Sequence, residues 1–301
     1  MRKKRPTLFS QKGIKMQEIL EMLQDTAIDT IKLLPFLFIT YLIMEYIEHK
    51  TSNKVKDVIK KSGKFGPLLG AIVGIFPQCG FSVSATNLYA GRVITLGTLI
   101  SVYLATSDEM LPILLTEAVP AGTIFTILGI KLVLGIVAGF IIDFVIRMFR
   151  KEKVEEQEEK IEEICEHEHC HCEEGIVTSA IKHTLNITIF IFFITLVLNG
   201  IIAYIGEDTI AHFISKNVIL GPIVAGLIGL IPNCASSVIL TELFISNVIS
   251  MPVLISGVAV NAGVGLLVLF KTNKNVKENI KIVGILYLIG VLAGIILELF
   301  L

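Results

Sequence analysis

Two stretches of the sequence place the same set of polar residues inside otherwise apolar chain. They are "GIFPQCGFSVSATNLYAG" (74–91) and "GLIPNCASSVILTELFIS" (229–246), and each contains a proline, an amide, a thiol and hydroxyls. Thiols are the ligands that soft metal ions prefer. The pair of stretches therefore predicts one substrate site lined by residues of both: Gln78, Cys79, Ser82, Thr86, Asn233, Cys234, Ser236, Ser237 and Thr241.

Carboxylates occur in a third apolar segment, 93–115, where "LATSDEMLP" (104–112) contains Asp108 and Glu109. Burying either charge is costly unless it is paired, protonated or hydrated. We interpret both acids as cation ligands or proton carriers. The alternative is that this stretch lies at the outer surface, where a charge costs little. The same functional interpretation extends to Glu242 and Asn261.

Thiols and imidazoles are concentrated in "CEHEHCHC" (165–172), which has three cysteines and three histidines among glutamates. Such a set suits soft or borderline divalent metals, although its spacing matches no zinc-finger pattern. A solvated charged linker explains the preceding "KEKVEEQEEK" run but not this cluster. We predict a flexible loop with reduced thiols that binds metal through Cys165, His167, His169, Cys170, His171 and Cys172.

Composition defines the surroundings of these residues. The chain has 301 residues, 53% of them hydrophobic and 18% charged, and its mean hydropathy is +0.76. An ordinary soluble domain is excluded, and the expected partner is a lipid bilayer, with the chain as a multi-pass protein of the plasma membrane. Nucleic acid is not an expected partner. The clearest candidate spans are 27–47, 123–146, 186–205 and 278–301.

The sequence is internally duplicated. A shift of 155 positions aligns 66–101 with 221–256 without a gap, and 14 of the 36 pairs are identical. Gly-Pro, Pro-x-Cys, serine and threonine all match in register, which shared apolar composition cannot explain. The same shift places the first candidate span over the third and the second over the fourth, so each half is one repeat.

Basic residues indicate that the two repeats have opposite orientations. The loop at 48–64 has six lysines, whereas its counterpart at 203–219 has one. The reverse holds for 116–122, which has no basic residue, and 271–281, which has four lysines. Because cytoplasmic loops are enriched in lysine and arginine, matching loops lie on opposite sides. The basic N-terminal tail disagrees, since this layout places it outside.

Inversion requires one net crossing from 65–115, which contains three apolar segments, 66–76, 80–90 and 93–115. A re-entrant hairpin followed by a full span meets this requirement. We expect Pro77 and Pro232 to separate the half-helices of each hairpin, since proline suits a first helical turn. For any single serine, threonine or cysteine nearby, packing or a bond to the preceding turn is the alternative role.

The predicted fold is an all-α membrane protein. It has about ten transmembrane or re-entrant segments in two inverted five-segment repeats with broken helices. We expect an N-terminal tail (1–26), a first membrane repeat (27–148), a cytoplasmic linker rich in His, Cys and Glu (149–180) and a second membrane repeat (181–301). Broken helices at mid-membrane are typical of substrate sites in secondary transporters.

The duplicated Pro-x-Cys hairpins, the "SDEMLP" stretch and the central His/Cys loop resemble the ten-transmembrane heavy-metal exporters. That family is also described as arsenic efflux proteins or manganese transporters. The resemblance covers nearly the whole chain and implies efflux of a metal or metalloid. Cysteine mixed with histidine in the loop favours thiophilic species over manganese.

The predicted mechanism follows from charge and from missing motifs. Half-helices that start at Pro77 and Pro232 aim partly positive ends at the centre, which favours thiolates, an oxyanion or a neutral oxyacid such as arsenite. A divalent ion would need thiolates or the carboxylates to offset that field. The sequence has no nucleotide motif, so we expect coupling to a proton or ion gradient, no enzymatic activity, and no cofactor beyond a transported or loop-bound metal ion.

Two other functions stay open at this point. A secondary transporter of small organic anions or amino acids would share the broken helices and would use the amides at their tips to bind carboxylates. A membrane-bound metal sensor or scaffold would use only the loop.

Overall fold

The computed structural model describes residues 65–149, 176–205 and 220–300, together with helical residues scattered between 23 and 42. All regular structure in these ranges is helical. The helices are α1 (Gly66–Gly74), α2 (Cys79–Ala90), α3 (Leu96–Ala105), α4 (Met110–Thr116), α5 (Ala121–Phe149), α6 (Ile176–Ile205), α7 (Leu220–Gly229), α8 (Cys234–Ile245), α9 (Met251–Val260), α10 (Gly265–Thr272) and α11 (Val276–Phe300).

Five helical segments in the described ranges are long and apolar enough to cross a membrane: Leu96–Thr116, Ala121–Met148, Ala180–Val197, Met251–Thr272 and Val276–Phe300. The outer faces of α5, α6 and α11 expose large apolar side chains, such as Phe125, Phe193 and Leu292. A protein in water would bury such faces, whereas a lipid bilayer solvates them. The protein is therefore a multi-pass membrane protein.

The helix boundaries repeat with the period seen in the sequence. Helices α2 and α8 begin and end at positions 155 apart, and so do α3 and α9. Side-chain contacts repeat as well. The Ser101 hydroxyl donates to the Pro67 carbonyl, and the matching Ser256 hydroxyl donates to the Pro222 carbonyl. Both halves of the chain thus form the same local structure.

The starts of helix α3 and of its counterpart α9 are held by acids at matching positions. Thr95 accepts a hydrogen bond from the Thr98 amide and donates to Asp143 on α5. Ser250 likewise caps α9 and donates to Glu298 on α11. A capping hydroxyl satisfies an amide that the helix leaves free, and an acid at a helix N-terminus is stabilised by the helix dipole.

Glycines allow the long helices to approach closely. A Cβ atom added at Gly139 of α5 would lie 2.7 Å from the Gly97 carbonyl oxygen, and one at the matching Gly294 would lie 2.6 Å from Ser256 Cβ. Helices α1, α3 and α5 form one packed group, and α7, α9 and α11 form another. Small residues at such contacts are the usual means of packing helices within a membrane.

The shorter helices connect the two halves. Helix α2 of the first half packs on α10 of the second, and α8 of the second half packs on α4 of the first. The cysteines of both halves and the acids Asp108 and Glu109 of the first half are therefore brought to the same central region.

The segment 93–115 differs from the predicted continuous span, because it breaks between α3 and α4 at residues 106–109. The Thr106 hydroxyl bonds back to the Val102 carbonyl, and Asp108 adopts a positive φ of 23°. The second half breaks at the matching place, where Gly263 has a φ of 54°. Each half therefore contains two helix breaks rather than one.

Candidate functional site

The two Pro-x-Cys breaks bring their cysteines into contact. Helix α2 begins at Cys79 and α8 begins at Cys234, each after a four-residue break that contains the proline. The two sulfur atoms lie 3.0 Å apart, and no disulfide bond joins them. Since both helices start here, their partly positive N-terminal ends face the sulfurs. The starts of α2 and α8 thus meet at the two thiols.

The Asp108 side chain lies beside the two cysteines, and the residue belongs to the break between α3 and α4. Its side chain is only 4% exposed, and neither carboxylate oxygen has a hydrogen-bond partner in the described structure. One ligand atom each from Cys79, Asp108 and Cys234 lies within 4.8 Å of the others. Two sulfurs and a carboxylate oxygen at such distances could bind one metal ion. We call these three residues the thiol–carboxylate cluster.

A small cavity of about 30 Å³ adjoins the cluster. Its lining comprises Thr30, Gln78, Cys79, Asp108, Glu109, Ile191, Thr195, Asn233, Cys234 and Val264. A cavity that holds one water molecule needs roughly 10–15 Å³, so this space suits an ion or one or two waters. The Thr195 hydroxyl is buried and, like the Asp108 carboxylate, has no hydrogen-bond partner among described residues. Buried polar groups of this kind usually have a partner, which here a substrate could supply.

The residue that matches Asp108 in the second half also faces the cluster. A Cβ atom added at Gly263 would lie 2.5 Å from Asp108 Oδ2. Its left-handed backbone and this close approach both favour glycine. The site is thus asymmetric, with one carboxylate where strict duplication would place two.

Comparison with known proteins identifies the family of this chain. Residues 16–203, more than half of the chain, match a family model described as "Putative, 10TM heavy-metal exporter". The chain belongs to this family. The resemblance drawn from the hairpins, the acidic stretch and the loop is confirmed. No curated protein and no solved structure matches the chain.

The family match includes the first half of the chain, with Cys79 and Asp108, whereas Cys234 lies beyond it. The duplication links Cys234 to the matched region, because Cys234 aligns with Cys79 in the sequence and contacts it in the structure.

The structure divides the predicted substrate-site residues into two groups. Gln78, Cys79, Asn233 and Cys234 line the cavity. The hydroxyls bond mainly to their own helices: Ser82 to the Cys79 carbonyl, Thr86 to that of Ser82, Ser236 to that of Asn233, Ser237 to that of Cys234 and Thr241 to that of Ser237. Thr86 also contacts the Tyr103 hydroxyl at 2.6 Å. These five hydroxyls do not line the cavity, because they follow the cysteines into the helices.

The predicted ion-binding residues divide in the same way. Asp108 and Glu109 line the cavity, and Asp108 is buried rather than at the surface. Asn261 is buried in the break between α9 and α10, where its side-chain oxygen accepts a hydrogen bond from the Gly263 amide. Glu242 is exposed on α8 and does not line the cavity. The predicted loop ligands Cys165, His167, His169, Cys170, His171 and Cys172 lie outside the described residues.

Lys131 in α5 was not among the residues predicted from the sequence. Its side chain is completely buried, and its ammonium donates a hydrogen bond of 2.6 Å to the Val258 carbonyl. A lone lysine within the candidate span 123–146 was the available signal, since charges inside membrane spans are rare and usually functional. Thr30 and Thr195 of the cavity lining had no comparable signal.

Proposed function

We propose that this protein is a secondary-active exporter of a heavy-metal cation or a metalloid, which binds at the thiol–carboxylate cluster. The observation that carries the proposal is the approach of the Cys79 and Cys234 sulfurs to 3.0 Å, with the buried Asp108 carboxylate beside them. Heavy-metal export is also what the family description names. Thiolate ligands select soft ions over magnesium, calcium and manganese.

Charge explains why a metal suits this place. Two thiols and a carboxylate concentrate groups that become negative, and burial of uncompensated negative charge is costly. A bound cation would offset that charge. A metalloid such as arsenite would instead form As–S bonds with the two sulfurs, and its hydroxyl groups would leave with the thiol protons as water. The N-terminal ends of α2 and α8 would stabilise sulfur ligands that lose their protons to a bound cation.

An organic anion or amino acid fits the site less well. A cavity of about 30 Å³ has room for very few non-hydrogen atoms. The Asp108 carboxylate in its wall would repel the carboxylate of such a substrate. The metal or metalloid assignment is therefore preferred.

An inverted repeat is part of the proposal, and the helix paths support it. Helix α2 runs from the site towards Arg92, whose guanidinium makes a two-pronged ion pair, at 2.8 and 3.0 Å, with Glu278 at the start of α11. Glu278 follows α10, so α2 and α10 lead to the same membrane face. Helix α3 starts beside the end of α2 and continues through α4 away from that face. The two hairpins would then enter from opposite faces, as alternating access requires.

Cysteine labelling tests the inversion. In a variant with its five native cysteines changed to serine, we expect Lys274→Cys to react with an impermeant reagent only from the cytoplasm. Glu117→Cys lies after α4, in the loop that leads to α5. It should react only from outside, because α3 and α4 cross the membrane away from the cytoplasmic face. Labelling of both positions from one face would refute the inverted arrangement.

Energy is proposed to come from a proton or ion gradient across the plasma membrane, with no enzymatic step. The His/Cys loop would collect metal at the cytoplasmic face. These features rest on the sequence analysis and the family, since the loop lies outside the described residues.

Transport by purified protein in liposomes tests the proposed function. We expect Cd²⁺, Zn²⁺ or arsenite to cross faster than through protein-free liposomes, because soft species suit the two sulfurs, and Mn²⁺ to cross more slowly. Aspartate serves as the organic-anion probe. Transport of aspartate without movement of any metal or metalloid would contradict the proposal.

A further inference from the structure

Lys131 is a buried cation close to the proposed substrate site. Its Nζ atom bonds to the carbonyl of Val258 in the last turn of α9, where the negative end of the helix stabilises an ammonium. Helix α9 ends in the break that contains Gly263, and a Cβ atom added at Gly263 would lie 2.5 Å from Asp108 Oδ2, so Lys131 and Asp108 both lie near this break. Asp108 is the titratable group that acts on Lys131 among the described residues. The two are not hydrogen-bonded, since both Asp108 oxygens are without a partner. The pair thus interacts through space.

The duplication shows that neither charge is needed for the local fold. The positions that match Asp108 and Lys131 are Gly263 and Leu286. Leu286 is completely buried on α11, and its helix packs in the second half as α5 does in the first. A helix that packs in the same way therefore accommodates a leucine at the position of Lys131. The chain keeps two opposite buried charges in one half only, beside the cluster.

We propose that Lys131 is the proton carrier that couples transport of a metal cation to a proton gradient. This inference rests on the proposed function. Without cargo, the Lys131 ammonium balances the Asp108 carboxylate. A cation bound by Cys79, Asp108 and Cys234 adds positive charge there, and two like charges in a medium of low dielectric constant repel strongly. The ammonium then loses its proton and becomes a neutral amine.

In this scheme the protein exchanges protons for metal cations. Cation binding from the cytoplasm releases the Lys131 proton to the cytoplasm, and the amine lone pair is left free. After the cation leaves on the other side, the amine takes up a proton from that side. One proton thus enters through Lys131 for each cation exported. Asp108 itself faces Cys79 and Glu109 as well as Lys131, and protons displaced from the thiols would add to the count.

Two variants separate a proton carrier from a structural lysine. Lys131→Leu copies the second half and cannot carry a proton, whereas Lys131→Arg keeps a charge that is not lost at accessible pH. Lys281→Leu, an exposed lysine on α11, is the matched control. All are made in a chain whose six loop cysteines and histidines are replaced, so that protons displaced from the loop do not interfere.

Cd²⁺ binding in a weakly buffered solution and Cd²⁺ transport in liposomes are then measured. We expect Lys131→Leu to bind Cd²⁺ with about one proton fewer released per ion, and a pH gradient should no longer drive Cd²⁺ uphill. Lys131→Arg should bind Cd²⁺ roughly tenfold or more weakly, because its charge persists. The control should behave as the parent chain does.

Unchanged proton release and unchanged pH-driven transport in Lys131→Leu would overturn the inference. If that variant does not fold, coupling and affinity in Lys131→Arg equal to those of the parent chain would overturn it equally. Failure of the parent chain to bind or move Cd²⁺ would instead refute the proposed function for a metal cation.

Discussion

Replacing both Cys79 and Cys234 with serine should abolish transport of a thiophilic ion and weaken its binding roughly a hundredfold or more. Serine keeps the approximate size and the hydrogen-bonding capacity of cysteine but removes the soft sulfur ligand. Because the two sulfurs are 3.0 Å apart, an ion between them would lose two ligands at once. Binding of Cd²⁺ to purified protein and its transport in liposomes measure the effect.

The three loop cysteines provide the matched control for this experiment. Changing Cys165, Cys170 and Cys172 to serine alters the thiol count by a similar amount but leaves the cluster intact. We expect that variant to bind fewer ions in total and to retain transport. The opposite pattern, with transport lost only when the loop is changed, would place the transport site in the loop.

Asp108→Asn should abolish cation transport while leaving the fold intact. Asparagine removes the negative charge, yet it tolerates the positive φ of this position as aspartate does. A cation bound there would lose its carboxylate ligand, whereas arsenite, which binds through sulfur, would keep both thiols. We therefore expect loss of Cd²⁺ transport in Asp108→Asn with retention of arsenite binding. Equal Cd²⁺ transport by the variant and the wild type would remove Asp108 from the site.

The glycine opposite Asp108 allows the same carboxylate to be disturbed without changing it. Gly263→Ala would place a methyl group 2.5 Å from Asp108 Oδ2, so the carboxylate must move. Gly284→Ala is the control, because a Cβ there meets no atom within 4 Å. We expect weaker Cd²⁺ binding and a lower unfolding temperature for the first variant only, since its backbone is also in the left-handed region.

The helix breaks at Pro77 and Pro232 could be predicted from the sequence because proline acts locally on the backbone. The pairing of Cys79 with Cys234 followed from the duplication, since matching breaks in two repeats can meet at a common centre. The break at 106–109 could not be predicted in the same way. It contains no proline, and in the first half the left-handed residue is an aspartate rather than a glycine.

The direction of side chains was the less predictable part of the site. Glu242 matches Asn87 in the duplicated sequence, yet Asn87 is buried and Glu242 is exposed. Composition shows that a polar residue lies in an apolar segment, but only helix packing determines which way it faces. The same reason explains Thr86 and Thr241, which bond to their own helices and do not reach the cavity. The roles predicted for the loop and the N-terminal tail stay predictions.

X-ray absorption spectroscopy at the absorption edge of a bound metal tests the central claim most directly. The protein would carry substitutions of all six loop cysteines and histidines and would be loaded with one equivalent of Cd²⁺ or Zn²⁺. We predict two sulfur ligands, at about 2.3 Å for zinc, together with oxygen ligands. The sulfur signal should disappear in the Cys79→Ser/Cys234→Ser variant. A bound metal with only oxygen or nitrogen ligands in the parent chain would contradict a site built by these two cysteines.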